Sequence, residues 1–171
     1  MSNQEYLLRA MLAASLIVSV AGVAQAQGDA DHAAGQNMAD MKFGPFPAMP
    51  TCAAGSVQNG DPGTGPSIIM AKTKTGCTFP WHWHTPNEHI MMVSGVARIE
   101  MKDGKPITLR AGGFAMMPSK HVHQFRCTSA CALYVYSDAT FDMHYVDPQG
   151  KELTPEDALK AVKEAPPKEA K

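Results

Sequence analysis

Residues Gly76–Gly95, GCTFPWHWHTPNEHIMMVSG, constrain the fold more tightly than any other stretch. His82 and His84 are separated by a single residue, so on a β-strand both imidazoles leave the same face. Thr85-Pro86-Asn87 is a turn-prone break that lets the chain re-enter as a new strand at Glu88. Two imidazoles and a carboxylate that converge make a site for one divalent transition metal, and Fe, Mn, Ni, Cu and Zn all accept such ligands. Farther on, Gly112 opens GGFAMMPSKHVH, which puts His123 on another strand and free to close the site. The expected ligand set is therefore His82, His84, Glu88 and His123. Three imidazoles and a carboxylate facing one small interior are costly to bury unpaired, which favours a metal over a structural polar cluster.

The rest of the chain reads as short strands. Apolar or alternating runs fall at 67–72, 78–84, 88–94, 96–102, 107–110, 114–117, 123–127, 132–137 and 141–146, separated by Gly, Pro and Asp. Lys102-Asp103-Gly104-Lys105 is a hairpin turn signal. Strands at this spacing indicate an all-β sandwich or barrel rather than βαβ units. Near the C-terminus, Thr154-Pro155-Glu156-Asp157 starts a short helix, with Thr154 as N-cap and Asp157 closing a capping box. Leu159, Ala161 and Val162 form its apolar face, and Pro166-Pro167 ends it.

The two histidine-bearing stretches resemble the motifs of the cupin family. Gly76, His82, His84, Glu88 and Gly95 meet every fixed position of its first motif, G-x5-H-x-H-x3-E-x6-G. Gly112, Pro118 and His123 meet the second, G-x5-P-x-G-x2-H-x3-N, which departs at Lys120 (usually Gly) and at Cys127 (usually Asn). The resemblance implies a cupin-type β-barrel, a double-stranded β-helix or jelly roll, with metal held by the four residues named above. It also implies dioxygenase, decarboxylase, isomerase or lyase chemistry. A dioxygenase-type oxidoreductase acting on a small organic substrate is the first expectation, with Glu88 doubling as a catalytic base. The alternative is a non-catalytic periplasmic cupin that binds or senses a metal or a small ligand.

Residues 1–26 carry one arginine, an apolar run and Ala24-Gln25-Ala26, which together predict a secretory signal peptide and a secreted or periplasmic location. The apolar run is too short to span a bilayer, and no membrane span is expected elsewhere. The remaining boundaries are a flexible N-terminal arm at 27–45, a cupin domain at 46–147 and a tail with the helix at 148–171. Residues 41–66, rich in Gly and Pro, are expected to wrap the surface as irregular chain. Lys and Arg are scattered over a nearly neutral chain, which argues against a nucleic-acid partner. All four cysteines, Cys52, Cys77, Cys127 and Cys131, lie in the exported part, where an even count favours disulfides and three pairings exist. A local Cys127–Cys131 bridge across a turn would leave Cys52 with Cys77, tying the arm to the barrel. The alternative makes Cys127 a free thiol near the metal.

Other residues carry weaker signals. Trp81 and Trp83 alternate with the histidines, so both face away from the metal; they pack internally or form the patch of a homodimer. His89 points to the opposite face from Glu88, His121 sits at a strand entrance, and His144 reads as packing or surface. Met70, Met92, Arg98, Met101, Phe125 and Tyr134 are candidates for lining the pocket, and an inward Arg98 would select a carboxylate.

Overall fold

The computed structural model describes residues 34–164. The expected signal peptide, the start of the arm and the end of the tail lie outside the described residues. Within them the chain runs β1 (Ala53–Gly60), β2 (Ser67–Thr73), β3 (Thr78–Trp83), β4 (Glu88–Ser94), β5 (Val96–Met101), β6 (Ile107–Arg110), β7 (Phe114–Met117), β8 (His123–Cys127), β9 (Cys131–Ser137), β10 (His144–Val146), β11 (Glu152–Leu153) and α1 (Pro155–Glu164). Two antiparallel sheets result, with strand orders β1-β2-β9-β4-β7 and β11-β10-β3-β8-β5-β6. This is the all-β, two-sheet architecture with a short C-terminal helix that the sequence pattern predicts.

Period-two alternation decides which side chains meet between the sheets. In β8, His123, Phe125 and Cys127 are buried while Gln124 and Arg126 are not; in β7, Ala115 and Met117 point in while Phe114 and Met116 point out. Ile90, Met92 and Leu133 of one sheet pack against Ala97, Ile99 and Phe125 of the other in a single core. Consecutive strands often change sheet, so the turns between them are tight. Gly95, between β4 and β5, has φ +86°, and a Cβ there would lie 2.2 Å from the Ala130 carbonyl oxygen.

The cysteines pair as Cys52–Cys77 and Cys127–Cys131. Each bridge joins the strand systems of opposite sheets, and all four cysteines sit at one end of the sandwich. Lys74 N–H bonds the Cys52 carbonyl, Cys127 N–H bonds the Cys77 carbonyl, and Cys131 is registered with Thr73.

Two expectations need correction. Residues 53–60, read as irregular chain, form β1; AAGSVQNG has no alternation to reveal it, and its partner β2 imposes the extended form. The arm is not free throughout. Met41 is buried, and with Met38 and Phe43 it packs over Met70, Ala132 and Tyr134 on the outer face of the first sheet. In α1, Thr154 Oγ1 accepts the Asp157 N–H at 3.2 Å, as the capping box requires. Ala158 rather than Ala161 is the alanine buried beneath it.

Candidate metal centre

His82 ends the inward series of β3, and His84 follows just after the strand. His123 starts β8 directly opposite His82, and Glu88 starts β4. All four converge at the end of the sandwich remote from the disulfides. They are 2%, 2%, 1% and 7% exposed for His82, His84, His123 and Glu88. One ligand atom from each histidine can be chosen so that the three lie within 4.8 Å of one another. Glu88 Oε2 stands 3.2 Å from His123 Nε2 and 3.6 Å from His84 Nε2.

The outer nitrogens of the rings fix how the inner ones behave. His82 Nδ1 lies 2.6 Å from the Pro80 carbonyl, His123 Nδ1 2.9 Å from the His121 carbonyl, and His84 Nδ1 on the Asp142 carbonyl. A carbonyl oxygen only accepts, so each Nδ1 carries the proton and each Nε2 presents a lone pair inward. His84 Nε2, His123 Nε2 and Glu88 Oε2 have no hydrogen-bond partner, although all are buried. Inward lone pairs facing a carboxylate repel one another unless a cation sits among them. Backbone carbonyls behind the rings are also the usual outer support of histidine metal ligands. The residues therefore fit a divalent metal.

Electrostatics agree with that tautomer. Burial holds His82 well below the ordinary histidine range, and His123 and His84 add to the effect. Burial also lowers His84, with Glu88 opposing. Burial alone would push the Glu88 carboxyl up; positive charge on His84 and His123 outweighs it and brings it from 4.5 to about 2, a charge that a bound cation would supply in place of ring protons.

The Thr85–Asn87 turn that sets Glu88 relative to His84 is tied from outside. Asp142 Oδ1 accepts Thr85 N–H at 2.7 Å, Asp138 accepts Asn87 N–H at 3.1 Å and Nδ2–H at 2.6 Å, and Ser119 Oγ donates to the Thr85 carbonyl at 2.6 Å. Lys120 N–H donates to the His84 carbonyl at 2.7 Å with φ 61°, a left-handed backbone that explains why glycine is usual at this position. Cys127, the other departure from the second motif, is taken up by its disulfide rather than left as a free thiol.

A part-open cavity adjoins His82, Glu88 and His123. Its walls are apolar: Phe46, Phe79, Phe125 and Phe141 line it together with aliphatic residues of β2, β4 and β9. Of the sequence candidates for lining, only Phe125 does so. Met70 is buried beneath Met41 on the outer face, Met92 lies in the core, Met101 packs against that core, and Tyr134 packs with Met70. Arg98 points outward, 45% exposed at its side chain, and bonds Glu100 at 3.1 Å.

Trp83 stacks on His144 at 3.9 Å between ring centres, and Trp81 lies half-buried beside Val122 and Pro148. Both face away from the site as expected, and both stay partly exposed. His89 faces Tyr136 on the outside of its sheet. Sequence reasoning missed Asp138, Asp142, Ser119 and Phe141, which stacks on His84 at 4.5 Å.

Among the described residues, no helix is long and apolar enough to cross a membrane. Residues 70–137 match the model of the cupin domain, and no curated protein matches the chain. Among solved structures, the polyketide cyclase RemF from Streptomyces resistomycificus aligns with TM-score 0.61 at 13% identity, covering 77% of this chain and 99% of that one. The DMSP lyase DddQ from Ruegeria pomeroyi DSS-3 aligns with TM-score 0.55 at 18% identity, over 66% of this chain and 64% of that one. An RmlC-like cupin from Shewanella frigidimarina gives TM-score 0.52 at 13% identity, over 61% and 88%. Identities this low establish likeness of fold, not of reaction. Two histidine-bearing motifs, the two-sheet topology and the matched segment agree: residues 70–137 are a cupin domain.

Proposed function

We propose that this is an exported, metal-dependent cupin enzyme acting on a small organic substrate. His82, His84, Glu88 and His123 hold one divalent ion, chosen from Fe, Mn, Ni, Cu and Zn. The observation that carries this reading is the convergence of buried lone pairs whose rings are anchored from behind by carbonyls. When bound, such an ion supplies Lewis-acid or oxygen chemistry at positions the protein leaves open.

The reaction type favoured is that of a dioxygenase-type oxidoreductase. Apart from the ligands themselves, the cavity wall carries no ionisable side chain among the described residues. Elimination or isomerisation by a separate general base thus has no residue to perform it. The apolar wall, by contrast, excludes water and admits both dioxygen and an apolar substrate. Glu88, the one carboxylate in reach, keeps the catalytic role of accepting a proton if it loosens from the ion. Export is supported by the two disulfides, which persist in oxidising compartments. Near-complete burial of all four ligands also favours a second reading, metal storage or sensing without turnover.

The test is metal content by elemental mass spectrometry, on untagged protein prepared without added metal and beside a Glu88→Ala, His123→Ala double variant. Near-stoichiometric metal lost in the variant, with substrate-dependent oxygen uptake, is expected. Stoichiometric metal without oxygen uptake across an aromatic and aliphatic panel would move the weight to the second reading. No metal in either protein would remove both.

A further inference from the structure

We propose that the cavity takes an uncharged, largely apolar molecule with a hydrogen-bonding oxygen at the end remote from the histidines. This rests on the reading of the site given above and names the class of ligand it serves. Its first ground is the wall. Four phenylalanine rings and aliphatic side chains line the cavity, and no lysine or arginine does so. Arg98, the residue that would have selected a carboxylate, is turned to solvent and paired with Glu100. A carboxylate or phosphate in the body of the cavity would therefore be desolvated with no counter-charge.

The second ground is Thr73. It lines the same cavity, is only 6% exposed, and its Oγ1 has no hydrogen-bond partner. Valine would fill this position with the same shape and no polar cost, so a buried orphan hydroxyl here wants a partner that the protein itself does not supply. Thr73 pairs with Ala53 and Cys131, at the disulfide end, opposite the histidine cluster. Ile69, on the same strand and face, is level with Val135 and Ile90. The four-residue rise between Thr73 and Ile69 is about 13 Å. The ligand is thus a ring with a short tail, one oxygen toward the cluster and one toward Thr73.

Three molecules with one body test this: 4-(3-hydroxypropyl)phenol, 3-(4-hydroxyphenyl)propionate and 4-propylphenol. Their binding is measured by titration calorimetry to the chelated and the zinc-loaded protein, with zinc stoichiometry determined on the same samples. The alcohol is expected to bind at least tenfold tighter than the carboxylate in both states. Thr73→Val should weaken the alcohol about fivefold or more and leave 4-propylphenol as tight or tighter. A melting curve of Thr73→Val, expected at or above the parent, shows that the variant is folded.

A carboxylate that equals or beats the alcohol overturns the proposal, as does an alcohol indifferent to Thr73→Val, or a failure of all three to bind. Zinc uptake with a reversed ligand order sinks this inference alone. The expected order in protein that takes up no zinc sinks the metal reading and leaves the ligand class standing.

Discussion

Lowering the pH from 7.5 to 5.5 should destabilise the chelated protein through two particular side chains, His82 and His84. Both are buried, both keep their proton on Nδ1 against a carbonyl, and both titrate below the ordinary value of 6.5 in the fold. The unfolded chain then binds more protons than the native one, so stability falls as pH drops through about 6.5. A histidine held neutral across this interval forfeits about 1.4 kcal/mol, so the pair contributes at most about 2.7 kcal/mol. Glu88, lowered from 4.5 to about 2, contributes stability that is lost only below pH 4.5 and stays silent here. The assay is urea unfolding of the parent and of a His82→Gln, His84→Gln variant at both pH values, with disulfides intact. For a domain of this size the parent's midpoint should fall by about 1–2 M urea more than the variant's. Equal falls in the two proteins would refute the argument that these rings are the buried neutral pair.

Lys120→Gly should raise stability by about 0.5–1 kcal/mol, read from thermal or urea unfolding, because φ 61° is costly for lysine and free for glycine. Replacing Cys52 and Cys77 by alanine should cost about 3.5 kcal/mol against about 2 kcal/mol for Cys127 and Cys131, because the bridges close loops of 25 and 4 residues; equal losses would show that chain entropy is not the governing effect. Asp138→Ala should weaken metal binding about tenfold in a competition titration with a chromophoric chelator, because the turn that aims Glu88 loses its Asn87 anchor.

The clustering of His82, His84, Glu88 and His123 was legible because it resides in side chains at fixed short spacings. A period of two puts His82 and His84 on one face, and proline in a turn returns the chain at Glu88. What holds those side chains was not legible. The Pro80, His121 and Asp142 carbonyls have no residue-type signature, and Asp142 reaches His84 across 58 positions. Alternation alone also left two faces to choose between. In β5 the buried Ala97 and Ile99 turn Arg98 to solvent, a choice made by the partner strand rather than by the arginine. Met70, an inward candidate while the register of β2 is open, is buried on the outer face, where Met41 of the arm covers it.

The two ends of the sandwich are held by different forces, and this separates what can be lost from each. At the disulfide end, covalent bridges join the sheets, and reduction should loosen that end without touching a ligand. At the other end the clustered histidines and Glu88 are aimed by hydrogen bonds to carbonyls and by Asp138 and Asp142, which hold the 85–87 turn. Asp138 is kept below its usual range by Asn87, and Asp142, despite some burial, by Thr85. Both stay ionised well into acid. The first groups to fail as pH falls are therefore the neutral imidazoles, while the scaffold that orients them persists. Acid should release the metal before it unfolds the stapled barrel, and restoring neutral pH with fresh metal should rebuild the site. Release that coincides with global unfolding at every pH would mean that the ion, rather than the disulfides and core, holds the two sheets together.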